Sequence, residues 1–366
     1  MGKEQILKSI LKGVAWTGSG LILIVILLLS YNALRHLVFW SESEDVEFRS
    51  ADGTLLRGTL VKPSIETPYA AVVMLHGAGP ESRRGPGYRV LTNAIVRAGV
   101  AVLLYDKRGV GESGGSFDDA TYADFVSDAV AAVNLLASRN DIDPGRIGLH
   151  GNSESGWLTP EIAHVSGKVA FIFNRVGPAL PWMENVIWEV RNDMLAAGID
   201  ESDIQPLLDV TMRRWQYYLD AAADPSLADG PERDAVNAEL KLLIDTTPGA
   251  ASVLPDELEP YNAERYADLA AEIGYDQTPY LEAIRMPIIY TFGEADINVP
   301  TAQSVEYLKA FNRRHVRNIE IVVIEGVGHA MAGPSGLFLG GYVPEFMAVL
   351  KNWYSERAVS PASLQP

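Results

Sequence analysis

Six short strand-like runs, most of them apolar, constrain this chain more than any other feature: residues 70–75, 100–105, 146–150, 169–174, 288–292 and 319–325. A strand buried on both faces reads as such a run, not as an alternation of polar and apolar residues. Helical stretches separate them. Residues 88–98 end at Gly99, and residues 121–138 place Phe125, Ala129, Val133 and Leu136 on one stripe. Further helices are expected at 153–165 and 342–354. Strands alternating with helices predict an α/β fold with a mostly parallel central sheet flanked by helices. An antiparallel hairpin is expected ahead of it, from strands at 46–48 and 55–61 around the turn Ala51-Asp52-Gly53-Thr54.

One region breaks the alternation. Residues 178–275 read as helical and hold 20 Asp or Glu against 6 Lys or Arg, so 20 − 6 gives −14 of the chain's −17. An insertion of this length between two strands is too long for a loop and predicts a helical cap. Its charge marks either a solvated helical surface or a lid that disfavours anionic substrates. Trp182, Trp188, Trp215, Tyr217, Tyr218, Tyr261 and Tyr266 also lie within it. The expected division is therefore an anchor at 1–40, a core at 41–177 and 276–358, a cap at 178–275, and a tail at 359–366.

At the N-terminus, residues 13–34 carry no formal charge and centre on the run 21–29. About 20 apolar residues in a helix span a bilayer. Lys3, Lys8 and Lys12 precede the run, which favours a cytoplasmic N-terminus and an outward-facing, periplasmic or exterior domain. Trp16, Tyr31, Phe39 and Trp40 stand where interfacial aromatics belong. A cleaved signal peptide is the alternative, but Tyr31 occupies the −3 position of the first candidate site at Ala33. The net charge of −17 argues against nucleic acid as a partner, because that binding rests on Lys and Arg against phosphate. The absence of cysteine excludes thiolate catalysis and disulfides.

Three segments carry chemistry. Gly151-Asn152-Ser153-Glu154-Ser155-Gly156 follows one strand and opens a helix, a turn that exposes a serine hydroxyl when small residues flank it. Ser155 stands where glycine is usual. Ser153 alone could equally be a helix N-cap. Asp296, in Phe292-Gly293-Glu294-Ala295-Asp296, falls just past another strand, where a carboxylate can orient an imidazole. It could also be a turn-forming aspartate, and Glu294 is its rival. Glu325-Gly326-Val327-Gly328-His329 follows a third strand and offers the imidazole. Of the other histidines, His36 and His315 read as surface, His164 as a packed or partly exposed helix residue, and His76 and His150 as supporting groups at strand ends.

Serine, acid and histidine in this order, each after a strand, resemble the α/β-hydrolase superfamily over residues 45–355, in particular its esterase and prolyl-oligopeptidase-like or serine-aminopeptidase-like branches. Two more motifs carry the resemblance. His76-Gly77-Ala78-Gly79-Pro80 is similar to the family's oxyanion loop, and Tyr105-Asp106-Lys107-Arg108-Gly109-Val110-Gly111-Glu112-Ser113 to the loop that buttresses the site. The resemblance implies a triad of Ser153, Asp296 and His329. Backbone N–H donors of an oxyanion hole are expected at Glu154 and in the Gly77–Ala78 region. It implies hydrolysis of a small-molecule ester through an acyl-enzyme, with no metal or organic cofactor. A serine peptidase is the alternative, in which a buried Glu154 holds a substrate amine; otherwise Glu154 is a solvent-facing helix residue. A membrane-anchored binding protein with an inactive hydrolase fold is the alternative of another class.

Overall fold

The computed structural model describes residues 38–333 and 341–358, together with Leu23, Ile24, Leu27 and Ser30. The hairpin comes first: β1 (Ser43–Arg49) pairs antiparallel with β2 (Leu55–Val61). Then follow β3 (Tyr69–Met74), α1 (Pro86–Arg97), β4 (Val100–Tyr105) and α2 (Tyr122–Ala137). Next are β5 (Ile142–Asn152), α3 (Ser155–Ser166) and β6 (Val169–Arg175). Four long helices come between β6 and the next strand: α4 (Trp182–Ala196), α5 (Glu201–Ala223), α6 (Pro231–Thr246) and α7 (Ala263–Ile273). The chain closes with α8 (Thr278–Ala283), β7 (Ile288–Gly293), α9 (Thr301–His315), β8 (Glu320–Ile324) and α10 (Pro344–Ala358). The eight strands make one sheet in the order β1-β2-β4-β3-β5-β6-β7-β8, parallel from β4 to β8.

Five of the runs are largely buried on both faces. The sixth, β8, is the edge strand and leaves Glu320 and Val323 exposed. The pleat divides the buried side chains between two cores. Ala71, Val73, Leu75 and Leu103 point to the side of α2 and α3, whereas Ala70, Val72, Met74, Val102 and Leu104 point to α1 and α10. Each fully buried Val or Leu contributes about 1.5–3 kcal/mol by leaving water. α2 begins with a capping box: the Thr121 hydroxyl and the Asp124 carboxylate each take the other's backbone N–H.

Element ends move where local chemistry hides them. β5 starts at Ile142 rather than 146, because Asp143-Pro144-Gly145 looks like a turn in sequence. Its register against β3 shifts between Tyr69 and Ala71 to absorb those residues. α9 is a helix that strand spacing alone does not reveal, although Val305, Leu308 and Phe311 face inward on it.

The insertion between β6 and β7 contains no strand among the described residues. Its aromatic residues extend the core on the α2–α3 side of the sheet. Trp182 meets Trp215 edge-on with centroids 5.1 Å apart, and Tyr218 meets Tyr266 at 5.1 Å. It is closed at its neck, where Trp182 N donates to Tyr275 O at 3.0 Å. The expected anchor at 13–34, apart from Leu23, Ile24, Leu27 and Ser30, and the tail at 359–366 lie outside the described residues. Among the described residues, no helix is long and apolar enough to cross a membrane. Of the aromatics expected at a membrane interface, Phe39 and Trp40 are among the described residues and lie against α1: Trp40 N donates to Asn93 Oδ1, and the guanidinium groups of Arg89 and Arg97 sit over the two rings.

Candidate active site

The residue after β5 is Ser153, and its φ of +49° is in the left-handed region that non-glycine residues rarely adopt. The strain is held by close packing around it. A Cβ on Gly151 would lie 2.5 Å from Asn174 Oδ1, and one on Gly156 would lie 2.4 Å from the Cα of Gly177. Ser155 is buried and closes the turn on itself. Its Oγ accepts from Asn152 N at 2.8 Å and donates to Asn152 O at 3.0 Å. A small hydroxyl here does what a glycine cannot, which accounts for the departure from the usual pattern.

Asp296 and His329 come to the same rim from the ends of β7 and β8. His329 Nε2 is 2.9 Å from Ser153 Oγ, and Nδ1 is 2.9 and 3.1 Å from the two carboxylate oxygens of Asp296. Asp296 is 5% exposed, and its Oδ1 accepts from the amides of Asn298 and Val299 at 2.9 and 3.0 Å. Those bonds fix the carboxylate before any imidazole charge develops. Glu294 points elsewhere, accepting from Gly326 N.

The expected loop donors separate. Gly77 N donates to Glu81 Oε2 at 2.8 Å and Tyr88 Oη at 3.1 Å, so that N–H is already engaged. Ala78 N and Glu154 N have no protein acceptor among the described residues. Glu154 adjoins Ser153 in the chain, and the loop before Ala78 comes close to it: a Cβ on Gly77 would lie 3.3 Å from Ser153 Cβ. Glu81 and Tyr88 were not singled out from sequence, since nothing in their spacing marks them.

Glu154 is neither of the two things expected of it. Its carboxylate is 19% exposed, and Oε2 pairs with Lys107 Nζ at 3.2 Å, so its charge is already balanced by a cation of the protein. Lys107 lies within the quoted buttressing motif, and a lysine at the end of a fully buried strand was the available signal. The rest of that motif is a charge lattice. Asp106 accepts from Arg83, and Arg108 reaches Asp128, Asp124 and Asp52 at 2.7–3.0 Å.

The insertion meets the site through α4. Asn185 Nδ2 donates to Asn298 O, Asn192 Nδ2 to Ile297 O, and Asn298 Nδ2 to Glu189 Oε1, at 3.2, 2.7 and 2.9 Å. Burial raises the Glu189 carboxyl above its ordinary range, against the Asn298 hydrogen bond. Burial, and then the charge of Glu154, raises Glu272 on α7 in the same way. Glu272 also lines a cavity of about 800 Å³ with Asp118, Tyr122, Asp268 and Tyr275, which does not include Ser153. His76 and His150 are fully buried supports, with His76 Nε2 donating to Tyr105 O and His150 Nδ1 beside Tyr354 Oη. Trp157 is core, its indole N–H donating to Leu180 O at 2.7 Å. His164 is exposed, and His315 is half-buried against Phe311.

A family model described as the alpha/beta hydrolase family matches residues 72–335. The chain belongs to the alpha/beta hydrolase family. Esterase EstD of Thermotoga maritima is 26% identical over 286 residues, covering 77% of this chain and 59% of its own length. Polyketide transferase af380 of Aspergillus fumigatus is 36% identical over 141 residues, 37% of this chain and 44% of its own. The chain thus spans less than two-thirds of either relative. The Pyrococcus furiosus esterase Pf2001 superposes with a TM-score of 0.55 at 18% identity, over 87% of this chain and 92% of that one, a likeness of fold. In this alpha/beta hydrolase the three side chains come from the C-terminal ends of β5, β7 and β8.

Proposed function

We propose that this alpha/beta hydrolase cleaves carboxylic esters of small molecules through a Ser153–His329–Asp296 triad and an acyl-enzyme. One observation carries the reading: the unbroken series from Ser153 Oγ to His329 Nε2 and from Nδ1 to Asp296, each at 2.9 Å. His329 takes the hydroxyl proton as Oγ attacks the acyl carbonyl, then gives it to the departing alkoxide. Asp296 holds the tautomer and stabilises the imidazolium. The N–H groups of Glu154 and Ala78 receive the oxyanion, each removal typically costing about 10²–10³ in rate. Water, deprotonated by His329, then releases the acid and restores Ser153.

The pairing of Glu154 with Lys107 favours esters over peptides with a free N-terminal amine. The resemblance to an esterase supports the same choice. The test is a panel of short-chain p-nitrophenyl esters beside aminoacyl-p-nitroanilides, on wild type and Ser153→Ala. Ester turnover that falls by at least about 10⁴ in the variant is expected. Preference for the anilides would make it a peptidase, and equal turnover in Ser153→Ala would move the nucleophile.

We further propose that residues 13–34 anchor the domain to a membrane, N-terminus inside and catalytic domain outside. The support is 22 uncharged residues behind three lysines. Protease added to cells with a permeabilised outer layer should degrade the domain; protection would reverse the topology.

A further inference from the structure

Lys107 follows the last pairs of β4, and its side chain is 8% exposed. A buried ammonium is costly unless it is paired and its hydrogen bonds are made. Here all three N–H bonds have acceptors: Gly77 O at 2.7 Å, Gly79 O at 3.3 Å and Glu154 Oε2 at 3.2 Å. The rings of Phe125 and Phe117 lie beneath it at 4.5 and 5.3 Å from their centroids.

These acceptors matter because of what else they belong to. Gly77 O shares one trans peptide unit with Ala78 N, and in such a unit C=O and N–H point in opposite directions. Holding the carbonyl on the ammonium therefore turns the Ala78 N–H away from it. The other side of Gly77 is fixed as well, by Glu81 and Tyr88. Glu81 pins both ends of the stretch, at Gly77 N and at Gly79 O, but among the described residues the ammonium alone holds the Gly77 carbonyl between them, and a glycine backbone leaves that peptide free to turn without it. The third acceptor, Glu154, adjoins the nucleophile and carries the other free N–H. A cation on the carbonyl also polarises the peptide and strengthens its N–H as a donor.

We propose that Lys107 is a positioning residue that assembles the oxyanion hole, one ammonium orienting the Ala78 donor and tying it to the residue bearing the second. This rests on the serine-hydrolase reading above. Lys107 touches no substrate; it acts through Gly77 and Glu154.

The experiment is steady-state kinetics on a p-nitrophenyl ester for wild type, Lys107→Met and Lys107→Arg, per fluorophosphonate-titrated site, and for Ser153→Ala, per mole of folded protein. A trifluoromethyl ketone, whose hemiketal adduct with Ser153 Oγ places the former carbonyl oxygen in the hole as an oxyanion, is compared with the matching methyl ketone. Lys107→Met keeps the packing on the two rings. It should lose about 30- to 100-fold in kcat with KM within about threefold, approaching the loss of one donor. Affinity for the trifluoromethyl ketone should fall in parallel, and that for the methyl ketone should not. Lys107→Arg keeps the charge, but a planar guanidinium cannot serve three acceptors set around one nitrogen. It should lose about tenfold in kcat at unchanged KM, and it decides the matter if the Met variant does not fold. Wild-type kcat in either variant, or a kcat loss with wild-type trifluoromethyl ketone affinity, overturns the proposal. Full turnover in Ser153→Ala would instead sink the serine-hydrolase reading itself.

Discussion

Gly156→Ala tests whether the nucleophile is placed by the packing of α3 on the loop after β6. An added Cβ would lie 2.4 Å from Gly177 Cα and 3.2 Å from its carbonyl carbon. Both are backbone atoms, so no side chain can swing away. Reaching an ordinary contact needs about 1 Å of separation between α3 and that loop, an overpacking that typically costs 1–3 kcal/mol. For a domain of about 300 residues, at about 2.1 cal/mol/K of unfolding entropy per residue, that is roughly 1.5–5 °C in Tm. Ser153 leads directly into α3, so the same movement lengthens the 2.9 Å contact to His329. Misplacement by about 1 Å costs on the order of 10²-fold in rate. Differential scanning fluorimetry gives the first quantity, and ester turnover per titrated site the second. A variant with wild-type Tm and wild-type kcat would refute the argument that close backbone approach sets the site.

Other outcomes follow from particular contacts. Asp296→Asn leaves the fold intact but offers His329 an amide, and kcat should fall about 10⁴-fold with little change in Tm; a loss under tenfold would give the acid role to another carboxylate. Ser155→Ala removes two hydrogen bonds to Asn152 and should cost about 1–3 kcal/mol in urea unfolding, since buried backbone groups are left unmet; no loss would mean water replaces them. Burial, with Arg175 adding to it, pushes His150 down to about 3. The unfolded chain, with an ordinary pKa near 6.5, therefore binds this proton first as pH falls. Its contribution to stability is complete above pH 6.5 and should decline by about 1.4 kcal/mol per unit below it, toward pH 3. His150→Gln should lose that part of the acid dependence; identical slopes in the two proteins between pH 6.5 and 4 would contradict the assignment.

The sheet and the three chemical segments were legible because each rests on a local rule. Val100 to Tyr105 cannot be anything but a doubly buried strand, and a serine between Gly151 and Ser155 after such a strand marks a tight turn. What sequence spacing could not show are contacts between distant, individually ordinary residues. The engagement of the Gly77 amide by Glu81 and Tyr88 depends on how α1 returns over the loop. The meeting of Lys107 with Glu154 joins residues 47 apart, from the loop after β4 to the N-cap of α3. The cap aromatics are a further case: Trp182, Trp215, Tyr218 and Tyr266 pack edge to edge and extend the same buried core that lines the α2–α3 side of the sheet, which their spacing alone does not show.

The most direct measurement is mapping of a fluorophosphonate adduct by tandem mass spectrometry. The account predicts one phosphonyl group, on Ser153 Oγ, formed in wild type and strongly slowed in His329→Ala. An adduct on Ser155 or any other residue, or no adduct on folded protein, would contradict it.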